Sequence, residues 1–369
     1  MKIHPSQLPV TVIVVNYNGR HFMNACLTSL KAQSYPPEAV IVVDNASTDG
    51  SVSWIREHHP WVTIIESGEN AGYCGGNNIG IRASESPFVV LLNNDTRVQN
   101  DWLKYLYEAV ADDGSVAACS SLVVLPGEPD LIHYAGSSAH FMGHIANLHY
   151  LRPLGERKEE LEVSETGVYV GSSVLFRRAA LEEAGLLEEK MFIYEDELDM
   201  SIRLRSRGWR ILVEPRSLVW HYAGTPDLAV RSSGKYPRRR AYLVSRNRWM
   251  ILLRLYETKT LILLSPVLLM FECAWCVAMA FSGTLREYVK GMTWNWRQRS
   301  WVADERRRFQ QSRSIPDFKL LTADPLSPVP GMTTSGAGHA IRVAGEFYMK
   351  LYWAVTKRLL TLIHTGRRT

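Results

Sequence analysis

An acidic residue directly follows an uninterrupted apolar run shortly before position 100. Residues 88–92 read Phe-Val-Val-Leu-Leu, and Asn93, Asn94 and Asp95 come next. Such a run is typical of a strand buried on both faces, and ligands of open α/β sheets bind at the carboxyl ends of these strands. Carboxylates bind hard cations together with phosphate oxygens. Asp95 therefore indicates a cation site for a phosphate-bearing substrate, although the Asn-Asn-Asp-Thr sequence taken alone is better explained by a turn.

Three more loops with polar or glycine residues follow predicted strands. Their residues are Asn16, Tyr17 and Asn18; Asp44, Asn45 and Asp49; and a stretch from Asn70 to Asn78 that includes Gly75. Because parallel strands end at one edge of a sheet, we expect the four loops to converge there. A carboxylate after the second strand can accept a hydrogen bond from a pyrimidine N–H or a ribose hydroxyl. The glycines at 72, 75, 76 and 80 predict a close approach of a ligand to the backbone, but the stretch matches neither the dinucleotide fingerprint nor the P-loop.

The elements that carry these loops alternate along the chain. Apolar runs predict strands at 10–17, 39–43, 62–66 and 88–95, and helical spacing predicts helices at 21–33, 51–58 and 74–84. This order predicts an α/β fold with a mostly parallel sheet and helices on both faces. Later segments predict helices at 179–185 and 196–208 and short strands at 209–213 and 217–220.

A cluster of acids precedes the helix predicted at 196–208. It reads Glu195-Asp196-Glu197-Leu198-Asp199. Crowded carboxylates raise one another's pKa, and a raised pKa suits a general base that works near neutral pH. A solvated helix start, where acids are favoured by the helix dipole, is the alternative interpretation.

Seven stretches together resemble one known family. They are Val12–Asn18, Val42–Ser51, Asn70–Asn78, Leu91–Thr96, Gly171–Arg178, Phe192–Asp199 and Trp220-His221. Over about residues 10–255 the chain resembles the inverting family-two glycosyltransferases of the GT-A fold, in particular their rhamnosyltransferase-like members. The resemblance weakens in the last third.

The resemblance implies a role for each matched residue. It implies that Asp95 and His221 hold Mg²⁺ or Mn²⁺ on a nucleotide diphosphate, with Asn93 in place of the family's first acid. It implies that Asp44 reads the base, and that Gly171, Ser172 and Asp199 contact the sugar or the acceptor. The remaining nucleotide-site residues are Val14, Asn16, Tyr17, Asn18, Asn45, Asn70, Gly75, Asn78 and Asn94.

The same resemblance leaves the general base open between two neighbours. An alignment on Asp199 and Arg203 selects Glu197, whereas an alignment on the literal Glu-Asp pair selects Asp196. We favour Glu197. Processive synthases of this fold carry Gln-x-x-Arg-Trp, but residues 245–249 read Ser-Arg-Asn-Arg-Trp. This difference argues against a polymerising synthase and for a transferase that makes single additions or short runs.

These observations predict transfer of a sugar, with rhamnose as the candidate, from a nucleotide-diphosphate donor. The expected acceptor is a lipid-linked saccharide or a polysaccharide of the cell envelope. Three alternatives remain: a nucleotide-sugar synthase, a transferase to a soluble acceptor, and a catalytically silent module that serves as a scaffold in envelope assembly.

The charge of the chain is divided between its two ends. Residues 231–369 hold 24 Lys and Arg against 8 Asp and Glu, and the first 230 residues hold 18 against 29. The basic part contains an apolar stretch at 261–281, interrupted by Glu272 and Pro266 and flanked by arginines and tryptophans. This combination favours an anionic membrane surface over nucleic acid. A central glutamate makes spanning costly, so we predict an embedded, non-spanning helix or a hairpin.

The expected organisation has four parts. Residues 1–240 form the GT-A domain, with a nucleotide-binding half at about 10–120 and an acceptor half at about 121–240. A membrane-associated helical region at 241–313, a linker at 314–341 and an amphipathic helix at 342–369 follow. Scattered cysteines and an N-terminus without a signal-peptide pattern predict the cytoplasmic side of the inner or plasma membrane, and a homo-oligomer is left open.

Overall fold

The computed structural model describes residues 7–127, 130–155, 162–222, 236–327 and 337–366. The chain divides into two compact units. The first contains Met1–Ser137, Asn147–Leu204 and Trp209–Ala223, and the second contains Ser138–Ala146, Arg205–Gly208 and Gly224–Thr369. This division differs in detail from the predicted boundary at residue 240, because two short internal segments belong to the second unit.

The strands form one large sheet and one small one. In the large sheet the order is β10-β12-β6-β11-β4-β1-β2-β3, with β5 beside β12 and β7 beside β6. In chain order the strands are β1 (Leu8–Asn16), β2 (Pro37–Asp44), β3 (Thr63–Glu66), β4 (Phe88–Asn93), β5 (Thr96–Val98), β6 (Val116–Leu125), β7 (Leu131–Tyr134), β8 (Ser137–His140), β9 (His144–Asn147), β10 (Ser164–Glu165), β11 (Ser173–Arg177), β12 (Arg210–His221) and β13 (Leu321–Thr322).

The first half of the large sheet is parallel, as the sequence predicts. Strands β4, β1, β2 and β3 pair in parallel, and β11 inserts antiparallel between β4 and β6. The apolar runs give strands buried on both faces, so consecutive residues of β1 such as Val12, Ile13 and Val14 are all buried. The helices of this unit are α1 (Arg20–Lys31), α2 (Ser51–His58), α3 (Gly72–Ala83), α4 (Trp102–Ala111), α5 (Arg178–Ala184) and α6 (Asp196–Arg205).

The two short strands predicted at 209–213 and 217–220 are a single strand, β12. Its pairing with β6 shifts between Glu214 and Leu218. Pro215 lies within this bulge and has no backbone N–H to give to a ladder, and Arg216 makes an ion pair with the buried Glu214 at 2.6 Å. The bulge lets β12 continue beside β6 and β5 as far as His221.

The second unit consists mainly of helices. They are α7 (Arg238–Leu255), α8 (Thr258–Phe281), α9 (Leu285–Arg297), α10 (Arg299–Ser312), α11 (Asp317–Leu320) and α12 (Ala337–Thr365). A small sheet of order β13-β8-β9 accompanies them. Part of the predicted linker is therefore regular structure, because α11 and β13 lie within it and the buried Asp317 makes an ion pair with Arg313 at 2.6 Å. Residues 328–336 of that linker lie outside the described residues.

Helix α8 contains the apolar stretch and runs without a break through Pro266, so the hairpin alternative is wrong. A proline lacks the N–H that would bond to the carbonyl of Ile262. The hydroxyl of Ser265 donates to that carbonyl at 2.8 Å instead. Among the described residues, α8 alone is long and apolar enough to cross a membrane.

The charge of Glu272 in the middle of α8 is compensated inside the second unit. Its carboxylate pairs with the guanidinium of Arg248 on α7 and accepts a hydrogen bond of 2.6 Å from the hydroxyl of Tyr288 on α9. Arg248 also donates through Nε to the carbonyl of Met142 at 2.7 Å. Glu272 and Arg248 are both buried, so this cluster ties three helices and a strand connection together.

Removing one partner of this pair should strongly destabilise the second unit. We expect Glu272→Ala to lower the free energy of unfolding by about 3–5 kcal/mol, because Arg248 is left as an uncompensated buried charge. Chemical denaturation of the full chain measures the loss. The paired change Glu272→Leu with Arg248→Met removes both charges and should recover most of it. A double variant as unstable as the single one would contradict this account.

Candidate active site

The carboxyl ends of three parallel strands meet in register at one edge of the large sheet. Asn16, the last residue of β1, pairs with Asp44, the last residue of β2, and Val15 pairs with Asn93 at the end of β4. The convergence of the loops that follow these strands is therefore as expected.

Asn16 joins these loops through its side-chain amide. Its Nδ2 donates to Oδ1 of Asp44 at 3.1 Å, to Ser47 at 3.1 Å and to Ser51 at 2.9 Å. Its Oδ1 accepts from Nδ2 of Asn94 at 3.0 Å. The other carboxylate oxygen of Asp44 accepts from the backbone N–H of Ser47 at 2.9 Å. The carboxylate of Asp44 is thus held in one orientation at the strand edge.

The loop after β1 is bound to the loop after β2. Asn18 has a positive φ of 52°, and its Oδ1 accepts from the backbone N–H of Thr48 at 2.8 Å. The neighbouring Tyr17 is exposed. An exposed aromatic ring on the loop after β1 provides a stacking surface at this edge of the sheet.

The glycines of α3 lie close to neighbouring protein atoms, and a ligand contact at Gly75 stays a prediction. A Cβ on Gly76 would lie 2.8 Å from Val15, one on Gly80 would lie 2.5 Å from Ile13, and one on Gly75 would lie 2.8 Å from the Cβ of Ala71. Gly76 and Gly80 thus allow the helix to pack closely on β1, whereas a Cβ on Gly75 would meet the residue that precedes α3. Val14 is likewise fully buried in β1.

The asparagines around α3 also make structural contacts. Asn70 accepts from the N–H of Gly72 at 3.0 Å, and Asn45 donates to the carbonyl of Gly72 at 2.9 Å. Both polar atoms of Asn78 bind Leu187, and its Nδ2 also binds Glu189 at 3.0 Å. Nucleotide binding by Asn78 stays a prediction that these hydrogen bonds do not support.

Asp95 and His221 lie side by side although they are far apart in the sequence. The pairing of β5 with β12 sets Thr96 opposite His221, and Nε2 of His221 lies 3.1 Å from Oδ1 of Asp95. Both side chains are buried. On the other side of the ring, Nδ1 of His221 lies 3.3 Å from Nδ1 of His133 on β7.

This pair fits a divalent cation. Among the described residues, no group of three or more His, Cys, Asp or Glu side chains is arranged to hold a metal ion. Mg²⁺ and similar ions commonly use one or two protein ligands and complete their coordination with water and substrate phosphates. The carboxylate oxygen of Asp95 meets that requirement, whereas an imidazole nitrogen such as that of His221 is more typical of transition-metal sites.

The acidic cluster occupies three different environments at the start of α6. Asp199 is fully buried and makes an ion pair with Arg203 at 2.6 Å, and Arg203 in turn donates to the carbonyls of Ala184 and Leu186. Asp199 therefore anchors the helix to the chain after α5, and this geometry gives no support to its predicted role in binding the acceptor.

Asp196 and Glu197 differ in accessibility. Asp196 is buried, and its Oδ2 has no hydrogen-bond partner in the described part of the chain. Burial, and then the charge of Glu197, raises the pKa of Asp196 well above its usual value. Glu197 is only partly buried. Of the two, Glu197 can reach an acceptor hydroxyl without a rearrangement of the helix.

Glu197 is next to the segment that precedes β11. A Cβ on Gly171 would lie 3.0 Å from Oε1 of Glu197 and 3.1 Å from the hydroxyl of Tyr73, which donates to the Gly171 carbonyl at 2.6 Å. The next residue, Ser172, accepts from the N–H of Asn93 through its carbonyl, and its buried hydroxyl lacks a hydrogen-bond partner among the described residues. Gly171 and Ser172 thus connect the acidic cluster with the strand that leads to Asp95.

The loop before α6 has a strained backbone. Phe192, Tyr194 and Glu195 have φ values of 65°, 75° and 61°, a region that residues other than glycine rarely adopt. The carbonyl of Phe192 accepts from the N–H of Cys74 at 3.1 Å, which ties the loop to α3. Strain of this kind concentrates at functional sites.

Three residues of the site were not expected from the sequence. They are Gly19, Tyr73 and His133. Gly19 lies beside the amides of Asn16 and Asn94. In the sequence, the pair Asn18-Gly19 by itself predicts only a turn. Tyr73 belongs to the glycine-rich stretch from Asn70 to Asn78, so its position in the sequence could have identified it. No local sequence pattern identifies His133.

The large sheet and its flanking helices form a fold of the GT-A type. Residues 11–185 match the family model described as glycosyl transferase family 2. This match identifies that part of the chain as a family-two glycosyltransferase domain.

The chain is similar to several characterised proteins. It is 27% identical over 235 residues to N-acetylglucosaminyl-diphospho-decaprenol L-rhamnosyltransferase of Mycobacterium tuberculosis, covering 57% of this chain and 75% of that protein. It is 22% identical over 215 residues to poly-beta-1,6-N-acetyl-D-glucosamine synthase of Staphylococcus aureus, covering 57% of this chain and 49% of the synthase. The crystal structure of GalNAc-T7 with UDP, GalNAc and Mn²⁺ has the same fold, with a TM-score of 0.52, 15% identity and coverage of 68% of this chain and 48% of that one.

Gly19→Ala should disturb the amide network at the strand edge. The added Cβ would lie 2.1 Å from Nδ2 of Asn94 and 2.7 Å from Oδ1 of Asn16. We expect a loss of about 1–3 kcal/mol in the free energy of unfolding, as for other overpacked sites. Gly114→Ala is the matched control, because a Cβ there meets nothing within 4 Å. Equal stabilities of the two variants in urea denaturation would contradict the assignment.

Proposed function

We propose that this protein is an inverting glycosyltransferase that moves a sugar from a nucleotide-diphosphate donor to a hydroxyl of a lipid-linked or polysaccharide acceptor. The observation that carries the proposal is the placement of Asp44, Asp95 with His221, and Glu197 around the ends of β1, β2 and β4. The three groups correspond to base recognition, diphosphate binding and proton removal. Rhamnose is the proposed sugar, since one relative transfers L-rhamnose to a decaprenol-linked substrate.

The donor binds at the loops after β1 and β2 in this proposal. Asp44 accepts a hydrogen bond from the base, and the exposed ring of Tyr17 contacts the nucleoside. The network around Asn16 fixes Asp44 before the donor arrives, so little ordering remains to be done on binding.

Asp95 and His221 would hold Mg²⁺ or Mn²⁺ against the diphosphate. When bound, the ion would neutralise negative charge that develops on the leaving nucleoside diphosphate. Asn93 stands where an acid would add a second charge, so the site relies on one carboxylate. The relationship to a structure that contains Mn²⁺ agrees with this proposal but shows the fold alone.

Glu197 acts as the general base. It removes the proton from the acceptor hydroxyl, whose oxygen attacks the anomeric carbon on the face opposite the leaving group. Burial, and then the charge of Glu197, disfavours the ionised form of the neighbouring Asp196, which leaves the role of base to the partly exposed Glu197. The hydroxyl of Ser172 is placed to orient the acceptor.

The acceptor proposal also implies a membrane. A lipid-linked saccharide is presented at a bilayer, and the donor nucleotide sugar is a solute of the cytoplasm. We therefore propose that the protein acts at the cytoplasmic side of the inner or plasma membrane. A transferase to a soluble acceptor is the second candidate, and a silent scaffold is disfavoured by the intact set of site carboxylates.

Asp95→Asn should remove metal-dependent donor binding. Loss of an outer-shell partner costs about 10–100-fold in metal affinity, so loss of the carboxylate ligand itself should cost at least that much. Titration calorimetry with UDP and dTDP, with and without Mn²⁺, measures the effect. Asp112→Asn changes an acid outside the site and serves as the control. Unchanged Mn²⁺-dependent nucleotide affinity in Asp95→Asn would refute the metal role.

Glu197→Gln and Asp196→Asn should separate the base from its neighbour. We expect Glu197→Gln to bind the donor normally and to lose turnover by about 10²–10⁴, the contribution of a general base. Asp196→Asn should lose less, and Asp199→Asn should lose stability through its partner Arg203. If turnover falls in Asp196→Asn but not in Glu197→Gln, the base is Asp196.

A stability measurement provides the control for Asp196. Because the pKa of Asp196 is raised in the folded state, the folded protein binds this proton more tightly than the unfolded chain. Wild-type stability should therefore fall as the pH rises from the ordinary pKa of an aspartate, about 4, towards the raised value. Asp196→Asn should escape this loss and be the more stable protein at neutral pH. A less stable variant would show that the Asp196 carboxylate is not destabilised by burial.

A further inference from the structure

Helix α8 has one face without charges that is open to solvent. Between Ile262 and Phe281 ten side chains are exposed, and none of them is charged. They recur every three to four residues, so they form one stripe along the helix, roughly 30 Å long at 1.5 Å per residue. Leu269, Val277 and Phe281 are 67%, 57% and 90% exposed. A continuous apolar stripe of this length marks an interaction surface.

The opposite face of α8 is bound to charged helices. Met279 packs with Ala241 of α7 and Tyr288 of α9 in one buried cluster, and Glu272 pairs with Arg248 of α7. Helix α7 carries six arginines in its 18 residues. If α8 crossed a bilayer with these contacts intact, α7 would enter the hydrocarbon, at about 2.5–3.5 kcal/mol for each central arginine on insertion scales.

Helix α12 presents a second apolar stripe beside α8. Its inner side is anchored by the buried Leu360 and by Trp353, which stacks on Phe141 at 5.3 Å. The hydroxyl of Tyr352 donates to the carbonyl of Leu263 on α8 at 2.7 Å. The outer side exposes apolar residues with helical spacing, including Phe347, Leu351, Val355, Leu359 and Leu362.

Positive charge borders these stripes at the end of α8. A short turn after Phe281 leads into α9, where a groove is lined by Arg286, Glu287, Val289, Lys290, Thr293 and Arg297. Three of these six residues are cationic and one is anionic. Trp296, also on α9, is 73% exposed, and the guanidinium of Arg299 lies 5.5 Å from its ring. Exposed tryptophans and basic side chains next to an apolar face are complementary to anionic headgroups above acyl chains.

We infer that α8 and α12 bind an anionic bilayer from one side, lying in the plane of the membrane with their apolar stripes in the acyl region of one leaflet. The ion pair of Glu272 with Arg248 keeps the one charge of the stretch on the protein side, so the outer stripe inserts without burying it in lipid. The basic groove of α9 lies at headgroup level. This inference rests on the proposed membrane-linked acceptor for its purpose, but binding is measurable without any substrate.

Flotation of the full chain with vesicles tests the surface. With about a third of the lipid as phosphatidylglycerol, the wild type should float, and Val277→Asp should lose at least tenfold in vesicle affinity because a charge would enter the acyl region. Val163→Asp is the matched control, an identical change at a residue that is 45% exposed in the first unit. Failure of the wild type to float, or an equal loss in both variants, would overturn the inference.

A topology measurement separates lying in the plane from spanning. Ile262→Cys and Phe281→Cys are made in a Cys273→Ala, Cys276→Ala background and labelled with a fluorophore that an external, membrane-impermeant reagent quenches. Labels at both ends of α8 should be quenched at similar rates from outside the vesicle. Protection of one end alone would show a spanning helix and overturn the inference.

Nucleotide binding by the same variants keeps the two proposals apart. Val277→Asp should retain Mn²⁺-dependent nucleotide affinity while losing flotation. A wild type that floats but binds no nucleotide contradicts the proposed function and leaves the membrane surface supported.

Discussion

The side-chain amide of Asn16 is the interaction on which the first unit's site depends. It is buried at the end of the central strand and bonds to the loop after β2 on one side and to Asn94 after β4 on the other. Strand pairing in register brings the three loops to one edge, but pairing alone fixes only backbones. The amide, with a donor group and an acceptor at one point, converts that proximity into a fixed arrangement of side chains. Gly19 is part of the same arrangement, because only a residue without a Cβ leaves room for the hydrogen bond between Asn16 and Asn94.

The acids at the start of α6 show how environment divides one residue type into several functions. Asp199 is neutralised by Arg203 and fastens the helix. Asp196 is buried, its Oδ2 has no hydrogen-bond partner among the described residues, and its pKa is raised. Glu197 remains partly accessible beside Gly171. The loop that precedes them has three non-glycine residues with positive φ, Phe192, Tyr194 and Glu195, a conformation that costs about 1–3 kcal/mol for each residue.

The parallel half of the sheet could be read from the sequence because each strand is an unbroken apolar run that ends at a polar loop. The close placement of Asp95 and His221 could be expected only from the family resemblance, since the pairing of β5 with β12 leaves no local pattern. The sequence predicts a ligand at the glycines of α3. It cannot distinguish a glycine that makes room for a ligand from one that makes room for a neighbouring strand, as Gly76 and Gly80 do. From the sequence, Glu272 is an uncompensated charge that makes crossing a membrane costly. Its partners, Arg248 and Tyr288, lie on other helices, so the sequence does not show the compensation. The short strands between residues 120 and 170 are too brief for periodicity to reveal.

The bulge in β12 has a consequence for how this chain can vary. Side chains of a strand alternate between its two faces, so the number of residues between Glu214 and Leu218 decides which face His221 occupies. A change of one residue there, if passed along the strand, would turn His221 away from Asp95, whereas a change of two would return it to the same side. The length of this segment therefore decides whether His221 faces Asp95. Length differences among related chains at this point should come in even numbers wherever the histidine is retained.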